Sequence, residues 1–163
     1  MKNNFLPALP WAGAALLCLL ASTEASAALG EKISSIDSEE RVFAASVRKT
    51  AVTNSRYSVE ELQTPSGTIR QYVSSSGIIF GIAWDGLTHP DLSQLLGAYF
   101  GDYQRKLHTL RADLKKARTS ARPPRSVTAA TITVRKWGHV RHLQGVAFAP
   151  SLIPNGTSVD EIH

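Results

Sequence analysis

The sequence predicts a single α+β domain in which an antiparallel β-meander and a C-terminal β-hairpin pack against one long amphipathic helix. Three observations lead to this fold class. Residues 56–85 hold β-branched and aromatic runs separated by turn residues. Residues 91–117 repeat apolar side chains every three or four positions. A second pair of β-rich runs lies between residues 131 and 148, so the chain offers both an apolar helix stripe and a sheet to bury it.

The first 27 residues predict an export signal that is removed from the fold. Lys2 precedes an uncharged stretch from Phe5 to Ser22, and Ala25-Ser26-Ala27 has the small residues that a signal peptidase requires. We expect cleavage after Ala27, with cleavage one residue later as the alternative. The mature domain, residues 28–163, is then periplasmic or secreted.

Two other fates of this N-terminus are less favoured. Pro7 and Pro10 leave only about eleven strongly apolar residues before Ser22, whereas a membrane span needs about twenty. Leu17, which precedes Cys18, is too large for the position before a lipid-modified cysteine. We therefore expect release of the mature protein instead of anchoring.

Composition excludes several chemistries from the mature domain. Its sequence lacks sulfur, because the only cysteine, Cys18, and the only methionine, Met1, both lie in the predicted signal. Thiol nucleophiles, disulfides, cysteine-ligated zinc and iron–sulfur clusters are thereby excluded, and no cofactor is expected. The formal net charge of +5 would favour anionic lipid or envelope polymer over nucleic acid as a loosely associated partner of an exported protein.

The first half of the mature chain predicts one short helix followed by three strands. Asp37 and Glu40 resemble a helix start, and nearby apolar residues keep helical spacing through Lys49. Strands are then expected from residue 57, over 69–73 and over 78–85, with turns at 65–67 and 74–77. In the third strand, alternation places Phe80, Ile82 and Trp84 on the face that meets the helix.

The longest helix is expected from about Asp91 to Ala117. Thr88 and Pro90 are typical of a helix entry. The predicted apolar stripe consists of Leu92, Leu96, Tyr99, Tyr103, Leu107, Leu110, Leu114 and Ala117. Gly97 and Gly101 lie one turn apart inside it, and either a close approach of neighbouring backbone or a bend after Gly101 would explain them.

The last part of the chain predicts an exposed connection and a hairpin. Residues 118–126 are basic and contain Pro123-Pro124, which ends the helix. The hairpin strands are expected over 131–134 and 140–148, with a turn at Trp137-Gly138-His139. Trp84, Tyr99, Phe100 and Trp137 could line a ligand pocket. Large aromatic residues at strand and helix positions are usually packing residues, however, and we assign these four to the core.

Few residues suggest catalysis or metal binding. His139 and His142 are the candidate metal ligands, but residues three apart on a strand face opposite ways, which favours ordinary surface or turn histidines. No Gly-x-Ser-x-Gly pattern is present, and Ser74-Ser75-Ser76-Gly77 is better explained as a turn. Acidic pairs such as Asp85 and Asp91 fit strand-end and helix-start positions. We assign no catalytic residue.

A basic helix surface is the remaining candidate site. Its residues are Arg105, Lys106, Arg111, Lys115, Lys116 and Arg118. Such a surface could bind an anionic lipid or polymer, although a solvated outer face that keeps an amphipathic helix soluble is the simpler interpretation.

Several short motifs together resemble a known family. They are Ala28-Leu29-Gly30, Tyr57-x-Val59-x-Glu61-Leu62, Ser66-Gly67-Thr68, Gln71-Tyr72-Val73-Ser74, Gly77-Ile78-Ile79-Phe80, Ala83-Trp84-Asp85-Gly86, Pro90-Asp91-Leu92, Leu95-Leu96-Gly97-x-Tyr99-Phe100, and Leu152-Ile153-Pro154-x-Gly156-x-Ser158-Val159-Asp160-x-Ile162. In these motifs the chain resembles the exported proteobacterial family called domain of unknown function 2844. The resemblance implies an exported envelope protein and supplies no activity, cofactor or catalytic residue.

Three functional hypotheses follow. The first is a non-enzymatic periplasmic protein that binds another envelope or secreted protein as an accessory subunit. The second is a cysteine-free hydrolase whose site assembles only in three dimensions. The third is binding of an anionic polymer or lipid surface through the basic helix surface.

Overall fold

The structure, a computed structural model, describes residues 28–33, 47–53, 55–117 and 124–163. The predicted export signal and residues 37–46 of the predicted first helix lie outside these ranges. The end of that helix prediction is wrong, because residues 47–49 belong to a β-strand. These residues pair along their length with the next strand of a sheet, and this pairing keeps their backbone extended.

One antiparallel sheet of seven strands forms the centre of the molecule. The strands are β1 (Val47–Thr53), β2 (Tyr57–Thr64), β3 (Gly67–Ser74), β4 (Ile79–Gly86), β5 (Ser126–Thr128), β6 (Thr133–His139) and β7 (His142–Phe148). Their order is β1-β2-β3-β4-β7-β6-β5, so the meander β1–β4 is extended by the C-terminal strands through the β4–β7 pairing. The predicted α+β domain with meander and hairpin is confirmed. β5, with buried Val127, begins inside the predicted connection.

The helical segment lies on one face of this sheet and is interrupted once. Helix α1 (Leu92–Leu96) is followed by a 3-10 turn (Gly97–Tyr99) and then by α2 (Phe100–Lys116). Leu95, Leu96 and Tyr103 are buried and pack with Ile82 and Trp84 of β4 in one apolar cluster. The predicted stripe therefore meets the sheet as expected. Within the described residues, no helix is long and apolar enough to cross a membrane.

The face of Phe80 differs from the prediction. The register between β3 and β4 shifts after the Tyr72–Gly81 pair, and the next pair is Val73–Ile79. Phe80 is thus the extra residue of a β-bulge. Ile79 packs on the helix side, whereas Phe80 packs on the opposite side, so simple alternation fails at this point.

That opposite face is partly covered by the C-terminal segment. Residues 150–152 and 159–161 form 3-10 turns, and Ile162 is buried over Gly81. Tyr57 Oη donates to Glu161 Oε2 over 2.8 Å, and Tyr72 Oη donates to the His163 carbonyl over 2.7 Å. The sheet is thereby packed between the helix on one side and this segment, residues 150–163, on the other.

Candidate functional site

A row of polar side chains crosses the sheet on the face that the C-terminal segment covers in part. The strand register places Gln63 opposite Thr68, Thr68 opposite Asp85, Asp85 opposite Gln144, and Gln144 opposite Trp137. Because directly opposite residues share a face, these five side chains, from here on the polar row, lie side by side across five strands. They remain at least partly exposed.

Hydrogen bonds hold the polar row in place. Trp137 Nε1 donates to Gln144 Oε1 over 2.6 Å, and Gln144 Nε2 donates to Asp85 Oδ2, also over 2.6 Å. Thr68 Oγ1 donates to Gln63 Oε1 over 3.1 Å. His142 Nδ1 lies 3.4 Å from Asp85 Oδ1. The indole ring of Trp137 is therefore fixed by its polar edge, while 40% of the residue stays accessible to solvent.

The prediction that Trp137 is a core residue is wrong. In β6, Val134 and Lys136 face the helix, where Lys136 Nζ donates to Tyr103 Oη over 3.0 Å. Alternation puts Arg135 and Trp137 on the other face. Arg135 still lies over Phe148, but Trp137 is not part of the cluster beneath the C-terminal segment. In the sequence, Trp137 has the pattern of an aromatic residue that packs in the core. Only the strand register shows that it lies on an exposed part of the sheet.

The two candidate metal ligands lie together at the end of the same hairpin. His139 and His142 are directly paired across β6 and β7, with ring centroids 5.7 Å apart. The expectation that they face opposite ways is wrong, because the turn lies between them at Val140-Arg141, where Arg141 takes a positive φ of 66°. The predicted turn at 137–139 is wrong for the same reason. Among the described residues, no group of three or more His, Cys, Asp or Glu is placed to hold a metal ion.

His142 and Asp85 form the acid–base contact that a hydrolase would require. A serine-type site also needs a hydroxyl within hydrogen-bond reach of the imidazole. In the described part of the chain, the hydroxyls of Ser74 and Ser76 bond to each other, and no hydroxyl bonds to His142. His142 is also half exposed, so its contact with Asp85 lies at the surface and not in a closed site. No described residue acquires a catalytic role from this geometry.

The basic helix surface is dispersed around α2. The side chains of Arg105, Lys106, Arg111, Lys115 and Lys116 are exposed, and Arg118 lies outside the described residues. At about 100° per residue, Lys106 and Arg111 fall on opposite flanks of the apolar stripe. Arg105 also pairs with Asp102. The charges thus surround the helix and do not converge on one ligand position.

A partly buried polar contact lies on the helix side of the sheet. Trp84, 3% exposed, donates from Nε1 to His89 Nδ1 over 3.0 Å. Burial, and then the positive charge of Lys136, lower the pKa of His89. A neutral ring with an unprotonated Nδ1 is what the hydrogen bond from Trp84 requires, so this pair is a structural element of the core.

Fold and surface together define a small α+β domain with a row of polar side chains that ends in an exposed tryptophan. A family described as "Protein of unknown function (DUF2844)" matches residues 25–162, and the chain therefore belongs to that family. The resemblance seen in the sequence motifs is confirmed. No curated protein and no solved structure matches the chain.

Proposed function

We propose that this protein is an exported, non-enzymatic binding protein of the cell envelope, which holds another envelope or secreted protein through the exposed end of the polar row. Trp137 is the observation that carries the proposal. Tryptophan is among the residues that most often dominate binding energy at protein interfaces, because it buries a large area at small entropic cost. Here its indole is already fixed by Gln144.

Pre-organisation supports this role for Trp137. A side chain that is held before binding loses little conformational freedom when a partner covers it. Its neighbours are amide, carboxylate and imidazole groups, which suit the polar rim around an aromatic anchor. Val140, 87% exposed at the tip of the same hairpin, adds a second apolar contact. The predicted export signal over residues 1–27 supports the envelope location.

Affinity capture with single-residue variants tests the proposal. The processed protein is immobilised, exposed to periplasmic extract of its own host and washed with increasing salt. We expect one stoichiometric protein to be retained by the parent and by a variant in which Arg111, Lys115 and Lys116 are changed to Gln. Trp137→Ala should lose it, since truncating an anchoring tryptophan typically costs about 2 kcal/mol or more, roughly a 30-fold weaker Kd.

The matched control is Gln104→Ala, an exposed change on α2 away from the hairpin, with melting temperatures measured for every variant. Retention that is unaffected by Trp137→Ala but lost in the charge-neutralised variant would contradict the proposal and favour the anionic ligand. A precursor that stays in the cytoplasm at full length would contradict the export part.

A further inference from the structure

The segment 28–33 is inserted between the helix break and the start of β4. Ala28 and Leu29 are each only 1% exposed. Leu29 N donates to the Leu95 carbonyl over 3.0 Å, and Gly30 N donates to the Ile79 carbonyl over 2.8 Å. This segment follows directly on the predicted cleavage point, yet its first two residues are buried and its backbone is hydrogen-bonded to the helical segment and to β4.

Two glycines make the insertion possible. A Cβ atom at Gly97 would lie 2.6 Å from Ala28 Cβ, and a Cβ atom at Gly30 would lie 2.7 Å from Tyr99 Cε2. Ala28 therefore packs where a side chain at position 97 would lie, and Tyr99 packs where a side chain at position 30 would lie. α1 also ends at Gly97. The same glycine therefore interrupts the helical segment and leaves room for Ala28.

A carboxylate faces the backbone nitrogen of Ala28. Glu31 N donates to the Ala28 carbonyl over 2.9 Å, and this turn brings Glu31 Oε2 to 3.4 Å from Ala28 N. In an uncleaved chain that nitrogen is a neutral amide with one hydrogen. Cleavage after Ala27 converts it into an ammonium group with a positive charge and three donors, and a charged donor bonds a carboxylate more strongly than a neutral one.

We infer that the seat formed by Gly97, Tyr99 and Glu31 is a binding site for the protein's own amino terminus after cleavage, and that pairing of the new ammonium group with Glu31 completes the mature fold. This inference rests on the export and cleavage proposed above. It assigns Glu31 a role that neither its position in the sequence nor the family match provides.

A double-mutant cycle on the processed protein tests the pairing. The four proteins are the parent, Glu31→Gln, a variant with one serine inserted between Ala27 and Ala28, and the combination. The insertion moves the ammonium group by about 3.8 Å, one residue along the chain, and leaves Ala28 present. We expect each single change to lower the melting temperature by roughly 2–5 °C, and Glu31→Gln to cause little further loss once the serine is inserted.

Asp113→Asn, which removes an exposed carboxylate from α2, is the control for overall charge and should leave the melting temperature nearly unchanged. Mass spectrometry establishes the first residue of each protein. An equal loss from Glu31→Gln with and without the insertion, in proteins correctly cut after Ala27, would overturn the pairing and leave the proposed function intact. A parent that begins at another residue would overturn the proposed cleavage point and the pairing together.

Discussion

Single residues at the centre of the sheet are tightly matched in shape. Trp84 in β4 lies opposite Gly145 in β7, and a Cβ atom at Gly145 would lie 2.2 Å from Trp84 Cζ2. The indole thus occupies the space that a side chain at position 145 would need, so only glycine fits there. Its N–H is directed to His89, so both the ring and its polar edge are satisfied.

Replacing Gly145 by alanine should destabilise the protein by about 2 kcal/mol, because the indole must move out of a close-packed site and the added Cβ would also lie 2.7 Å from the Arg135 carbonyl oxygen. Denaturant unfolding monitored by circular dichroism measures the change. The loss should shrink in a Trp84→Phe background, since the smaller ring lacks the atom that clashes. Equal losses in both backgrounds would show that the contact with Trp84 is not the cause.

The His89 contact predicts a stability that depends on pH. The folded-state pKa of His89 lies below its ordinary value of 6.5. The neutral ring therefore contributes stability that is fully present above about pH 6.5 and is lost as the pH falls from there through the folded-state pKa. Protonation would also place a hydrogen on Nδ1 and break the bond from Trp84.

His89→Gln provides the test, because a glutamine side chain retains an acceptor for Trp84 and does not titrate. Melting temperatures of parent and variant are compared from pH 7.5 to pH 4.5. We expect the difference between the two to move in favour of the variant as the pH falls below 6.5. A difference that stays constant over this range would contradict the assigned role of His89.

At the scale of elements, the helical segment is shaped by one of its two glycines. Gly97 takes a φ of +49° and seats Ala28. Gly101 lies in α2 with only Arg105 Nη1, at 3.7 Å, near the position of an added Cβ. The sequence left two explanations open for these glycines, a close approach of neighbouring chain or a bend after Gly101. The close approach applies to Gly97, and the helix is interrupted there and not after Gly101.

Alanine substitutions separate these two positions. Gly97→Ala should cost about 2–3 kcal/mol, because it combines a strained backbone with a clash against Ala28. Gly101→Ala should raise stability by about 0.5–1 kcal/mol through helix propensity. Parallel denaturant unfolding of both variants is the measurement, and similar effects of the two substitutions would contradict this account of the break.

Element boundaries show where the sequence is informative. The pattern of the apolar residues predicts the helix, which buries one face, and the strands β2 to β4, which are rich in apolar and β-branched residues between turns. The bulge at Phe80 and the turn at Val140-Arg141 are not predicted, since both depend on which residues pair across strands. Arg141 carries the positive φ of that turn although Gly138, nearby, is the residue that typically signals one.

At the scale of the whole molecule, the candidate site is less predictable than the fold. Its members come from two separate stretches of chain, the strands β2 to β4 and the hairpin β6–β7, and only the register brings them into one row. The C-terminal segment decides which part of that face is covered, and its packing over Tyr57, Tyr72 and Phe80 has no periodic signal. Trp137 therefore has the pattern of a core residue in the sequence and an exposed position in the fold.

The most direct test of the proposed binding role is oxidative footprinting of the processed protein, alone and in periplasmic extract. The predicted cleavage removes the only Cys and the only Met, so aromatic side chains become the main reporters. Trp137 should be oxidised readily in the free protein and be several-fold protected in the extract, whereas Trp84, buried in the core, should react slowly in both. Equal oxidation of Trp137 in the two conditions, with Trp84 unchanged, would contradict a partner at this end of the polar row.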